Sequence, residues 1–162
     1  MDKIEIITTL KLAAVSHRAW LSNAQALIEG VPLDKEKIPV RLAECEFGKW
    51  YYGDGQKLKN IPGFQEIAQP HDRVHTTYME IFTLLYGKED REEIKNPSFF
   101  SRLIGTAQKA ATEKREAAKA KSLLLQEYST EVIYQLEQLQ RVIDDMSAKE
   151  LSDYLTNLTN LT

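Results

Sequence analysis

The sequence predicts an all-α protein: a small helical bundle of four main helices with an extended C-terminal helix and coiled-coil segment. Apolar residues recur at spacings of three and four along most of the chain, which is the period of a helix with one buried face. No stretch alternates apolar and polar residues over a useful strand length. Glycine and proline break the pattern at helix-sized intervals.

Leu10, Ala14, His17, Leu21, Ala24 and Ile28 share one face of a first helix, which Gly30 and Pro32 stop. A second helix is expected from Ile38 to about Tyr52, with Leu42, Cys45 and Lys49 on one side. Gly48 weakens its middle and Gly53-Asp54-Gly55 ends it. A third helical stretch begins near Pro62 and runs to Tyr86, closed by Gly87. Pro70 lies inside it and must either kink the helix or restart it from a new first turn. Both alternatives leave His71 and His75 helical. Asn96-Pro97-Ser98 opens a fourth segment, with Phe99, Phe100, Leu103, Ile104 and Ala107 as its apolar side.

Composition shifts near residue 108, dividing the chain into a bundle, 1–107, and an extension, 108–162. Residues 108–121 are rich in Ala, Lys and Glu, as expected of a solvated helix crossing between packed regions. Leu125, Val132, Leu139 and Met146 then alternate with Ser129, Leu136 and Ile143 at heptad spacing. This is a coiled-coil seam with one weak position, Ser129. Ser147 with Glu150 forms a capping-box pattern for a terminal helix.

The 162 residues suffice to bury a core without disulfides. With 21 basic and 24 acidic residues the net charge is −3, which gives no general case for nucleic-acid binding. The basic run from Lys109 to Lys121 has no interleaved aromatic residue to stack on bases. The N-terminus lacks the apolar core of a signal peptide. No stretch approaches the ~18 apolar residues a membrane span needs. A soluble, cytoplasmic protein without a membrane partner is expected.

All three histidines and the single cysteine lie on expected core faces: His17, Cys45, His71 and His75. His71 and His75, four apart on a helix, present their side chains on one face about 5–6 Å apart, which suits two imidazoles meeting one ion. One thiolate and three imidazoles make a complete tetrahedral set for zinc. Each residue also has a plainer reading: Cys45 packs as a small hydrophobe, His17 is a core histidine satisfied by a carbonyl, and His71 with His75 are two polar surface histidines. Core packing and one shared zinc site stand side by side at this level. Trp20 and Trp50 are core residues on either reading, and would wall water off from a metal if one is bound. Glu44, Glu46 and Asp72 read as solvated charges, any of which could accept a hydrogen bond from a ligand imidazole's free N–H.

HRAW, CEFGKWYY and HDRVH, in this order and spacing, resemble the motifs of the chemoreceptor zinc-binding domain, or CZB. That family carries a histidine–tryptophan motif, a Cys-x-Phe/Leu-Gly-x-Trp motif and a closing His-x-x-x-His. The resemblance covers roughly residues 10–90 and implies that His17, Cys45, His71 and His75 are zinc ligands. It implies further a bacterial cytoplasmic module, often a homodimer, attached to a chemoreceptor or a diguanylate cyclase and reporting zinc or hypochlorite. The long signalling hairpin of a receptor and the Gly-Gly-Asp/Glu-Glu-Phe motif of a cyclase are both missing from this sequence. A stand-alone sensor or a piece of a longer protein is therefore expected. A zinc-held dimerisation or adaptor module is the alternative. Enzyme activity is not expected, because four protein ligands close a zinc site to substrate and no HExxH motif supplies a general base.

Overall fold

The computed structural model describes residues 2–32, 38, 45–86 and 100–156, with the side chains of 100–108 outside that description. Every regular element among the described residues is helical, as the periodicity predicts.

Helix α1 (Lys3–Ile28) begins at a reciprocal cap. The Asp2 carboxylate accepts the Glu5 amide at 2.8 Å, and the Glu5 carboxylate accepts the Asp2 amide at 3.2 Å. Its chain turns away at Gly30, where φ is +88° and a side chain would be strained. A β-carbon there would also meet the Arg115 guanidinium at 3.0 Å.

The second helix is shorter than expected. Helix α2 spans only Glu46–Tyr52, and Cys45 is its N-cap, with extended backbone at φ −69° and ψ 129°. Ile38 occupies a bend, so no helix starts there. Leu42 and the rest of 39–44 lie outside the described residues, as does Glu44. Packing sustains this short helix: Phe47, Gly48 and Tyr51 are its buried face, and Tyr51 stacks on Phe64 at 4.5 Å. The Tyr51 hydroxyl donates to the Phe64 carbonyl at 3.0 Å.

A turn of 3-10 helix at Gln65–Ile67 leads into α3 (Ala68–Tyr86). Pro70 falls in the first turn of α3, where its missing N–H would have had no intrahelical acceptor. The proline thus belongs to a restart, not a kink. Residues 87–99, including Gly87, the Asn96-Pro97-Ser98 start and Phe99, lie outside the described residues.

Helix α4 (Phe100–Asp145) runs unbroken for 46 residues, and α5 (Ala148–Thr156) follows after a short break. The capping box forms as read: Ser147 Oγ accepts the Glu150 amide at 3.2 Å, and the Glu150 carboxylate accepts the Ser147 amide at 2.7 Å.

Helix α4 is the spine of the bundle. It runs antiparallel to α1, with Lys3 donating to the Asp144 and Met146 carbonyls at one end and Lys119 near Glu29 at the other. It is also antiparallel to α3, through Lys121 with Glu80 at 2.7 Å and Arg73 over the Tyr128 ring at 5.5 Å. Leu125, Val132, Leu136, Leu139 and Ile143 are fully buried in one cluster with Ile6, Leu10, Val74 and Ile81. Each such side chain contributes about 1.5–3 kcal/mol by leaving water. The heptad seam therefore serves the core of its own chain. From Lys109 to Ala117 the helix is largely exposed, as its composition predicts.

Candidate metal centre

Three elements bring the candidate ligands together. Helix α1 presents His17 inward between Ala14 and Ala24, and α3 presents His71 and His75 one turn apart beside Val74 and Tyr78. The N-cap position of α2 presents Cys45, half-buried with a free thiol. Its backbone is extended, and its carbonyl accepts the Lys49 amide at 2.9 Å.

The ligand atoms of Cys45, His71 and His75 all lie within 4.8 Å of one another. A tetrahedral zinc with bonds of about 2.0–2.3 Å separates its ligand atoms by roughly 3.3–3.8 Å, so modest side-chain rotation closes the set. His17 stays outside that trio. Its ring stacks on Trp20 at 5.7 Å and lies 6.1 Å from the His71 ring, centroid to centroid. It nonetheless borders the same cleft as Cys45, a space of about 280 Å³ shared with Ala13, Ile38 and Phe47.

The electrostatics suit a cation. His71 is fully buried, and neither of its ring nitrogens has a hydrogen-bond partner; Nε2 of His17 has none either. Unmatched buried polar groups cost stability unless something fills their lone pairs. Burial pushes the His71 pKa down to about 3, helped by His75 and then His17. It pushes that of His17 down to about 4, with His75 the lesser cause. Both rings are neutral at pH 7, the form that binds metal. Orphaned nitrogens, neutral imidazoles and a converging thiol together fit a zinc ion.

Aromatic rings close the surroundings. Trp20 lies 5.4 Å from the His75 ring and edge-on to Tyr78 at 4.9 Å. Phe47 stands edge-on to His71 at 4.9 Å. Phe47 entered the sequence reading only as a motif position two residues after Cys45, without a role, and it lies on the buried side of α2. Trp50 packs instead on Phe47 and Phe64. The Glu46 carboxylate pairs with Lys49 at 2.6 Å, out in solvent, and Asp72 is exposed. Two further buried hydroxyls lack partners, those of Tyr78 and Ser129.

No helix among the described residues is long and apolar enough to cross a membrane. Residues 17–82, which contain all four candidates, match the family model of the chemoreceptor zinc-binding domain, CZB. No curated protein and no solved structure matches the chain.

Proposed function

We propose, for a chain that carries a CZB domain at residues 17–82, that this protein is a zinc-binding regulatory module of bacterial signal transduction. The convergence of Cys45, His71 and His75 within a buried, aromatic-walled site carries the reading. Those three residues would hold the ion, and His17, bordering the same cleft as Cys45, would complete the tetrahedron. Zinc bound there supplies a cross-link between α1, the start of α2, and α3. Because α1 and α3 both pack on α4, their relative position is coupled to that long helix. Helix α4 is then the element able to carry the state of the site elsewhere.

Cys45 offers a second input. It is only half-buried, so a small oxidant such as hypochlorite reaches its thiolate. Two-electron oxidation would give a sulfenic acid and chloride, and a neutral sulfur holds zinc poorly. The receiving partner is a chemoreceptor or diguanylate cyclase in the cytoplasm, as the family implies. Self-association as a homodimer would use a surface other than the buried heptad seam. The outer side of α1 exposes Ile4, Leu12 and Val15.

The depth of His71 and His75 favours a second reading, in which zinc is purely structural and holds an adaptor together. Elemental analysis with solution mass and shape, before and after chelation, separates these readings. The sensory reading expects one zinc per chain, released by a competing chelator with a change in shape. Metal retained through mild chelation supports the structural reading, and a purified protein without any transition metal contradicts both.

A further inference from the structure

The four candidate ligands differ in whether a cavity reaches them. The cleft of about 280 Å³ between α1 and the start of α2 is lined by His17 and Cys45, and by neither His71 nor His75. Those two are 0% and 4% exposed. The groove of about 670 Å³ between the start of α3 and α4 touches Pro70 and Arg73 but none of the four candidates. A space of about 130 Å³ beside Leu12 and Trp50 touches none either.

The mouth of the cleft carries Ser16, Ala19 and Asn23, all exposed and all small or short. Among the described residues its one acidic wall is Glu46, which is already paired with Lys49. A cation therefore finds little to hold it before the candidate ligands. At the inner end, Nε2 of His17 is buried without a hydrogen-bond partner. The His17 ring lies 6.1 Å from that of His71, and Trp20, also in the cleft wall, lies 5.4 Å from that of His75. The wall of the cleft is thus in touch with the buried pair.

A bare divalent ion does not cross a packed apolar interior, because the loss of its water is prohibitively costly. It travels hydrated and exchanges water for ligands one at a time. A shell of about six waters, at ~30 Å³ each, occupies roughly 180 Å³, which the cleft can hold. We propose that this cleft is the metal's portal: zinc enters and leaves past His17 and Cys45, which exchange first, while His71 and His75 receive the ion last and release it first from the solvent side. This rests on the zinc reading above. The short side chains at 16, 19 and 23 then set how fast the site equilibrates, separately from how tightly it binds.

Ala19→Phe and Asn23→Phe narrow the mouth from exposed helix positions. Stopped-flow zinc binding, and release into excess chelator, should both slow about tenfold, a barrier raised by ~1.4 kcal/mol, with affinity unchanged. An obstruction acts equally in both directions. Gln135→Phe adds similar bulk to the α3–α4 groove and should change neither rate. Alkylation of Cys45 by iodoacetamide in the metal-free protein reads the same opening and should slow in both α1 variants.

Unchanged exchange rates in both α1 variants overturn the proposal and leave the zinc reading standing, as does alkylation that does not slow. Slower binding without slower release marks a damaged site, and equal slowing in Gln135→Phe marks opening of the whole bundle; each also overturns the portal. A wild-type protein that binds no zinc removes the reading beneath it.

Discussion

Helix α3 and the start of α2 position their candidate ligands by different means. His71 and His75 sit in the body of a 19-residue helix, held by the regular turn of the backbone and buried on the same face as Val74 and Ile81. Cys45 sits at the edge of a seven-residue helix, half-buried, with its position set by the packing of Phe47 and Tyr51. The pair on α3 is preorganised by local geometry, whereas the thiol depends on tertiary contacts. A candidate site built this way has a fixed half, set by the helix period, and a half set by packing, which is also the more exposed of the two.

Removing the fixed half should have the largest effect. His71→Ala is expected to weaken zinc binding by more than the roughly hundredfold cost of losing a supporting residue, with metal per chain falling towards zero in elemental analysis. Retention of stoichiometric zinc would break the contrast. Cys45→Ala should also weaken zinc in chelator competition beyond the roughly hundredfold cost of losing a supporting residue, by less than His71→Ala. Because Cys45 is half-buried, the metal-free melting temperature should stay nearly constant.

The metal-free protein should also lose stability as pH falls. The pKa values of His17 and His71 are depressed in the fold, to about 4 and about 3. Below pH ~6.5 the unfolded chain therefore binds protons that the folded chain refuses. The contribution is fully present above pH ~6.5 and is lost as pH falls towards 4 and then 3, on the order of a few kcal/mol. Denaturant melts across that range should show it, and His71→Ala should flatten the slope. The smallest effect is expected from Arg18→Ala. This breaks an exposed pair with Glu137, 2.6 Å long, and should cost at most ~1 kcal/mol without touching zinc affinity.

The same contrast explains what the sequence made legible. Both histidines of α3 could be placed on one face because a helix has a fixed period, whereas the sequence left open whether Pro70 kinks the helix or sits in a new first turn, which is where it falls. The terminal cap of α5 was equally plain, since Ser147 and Glu150 need only each other. The true start of α2 was hidden, because an extended Cys45 backbone is imposed by packing around Phe47 and Tyr51 and leaves no periodic trace. The heptad from Leu125 to Ile143 announced a buried face but not what covers it. A seam between chains and a seam within one chain read alike, and here α1 and α3 of the same chain fill it. His17 was visible as a core histidine, but its distance from the trio depends on how α1 lies against α3, which no local pattern encodes.

X-ray absorption at the zinc edge of the purified, metal-loaded protein tests the coordination most directly. One sulfur at about 2.3 Å and three nitrogens at about 2.0–2.1 Å are expected, with the sulfur lost in Cys45→Ala and one nitrogen lost in His17→Ala. A shell of nitrogen and oxygen alone in the wild-type protein would contradict it.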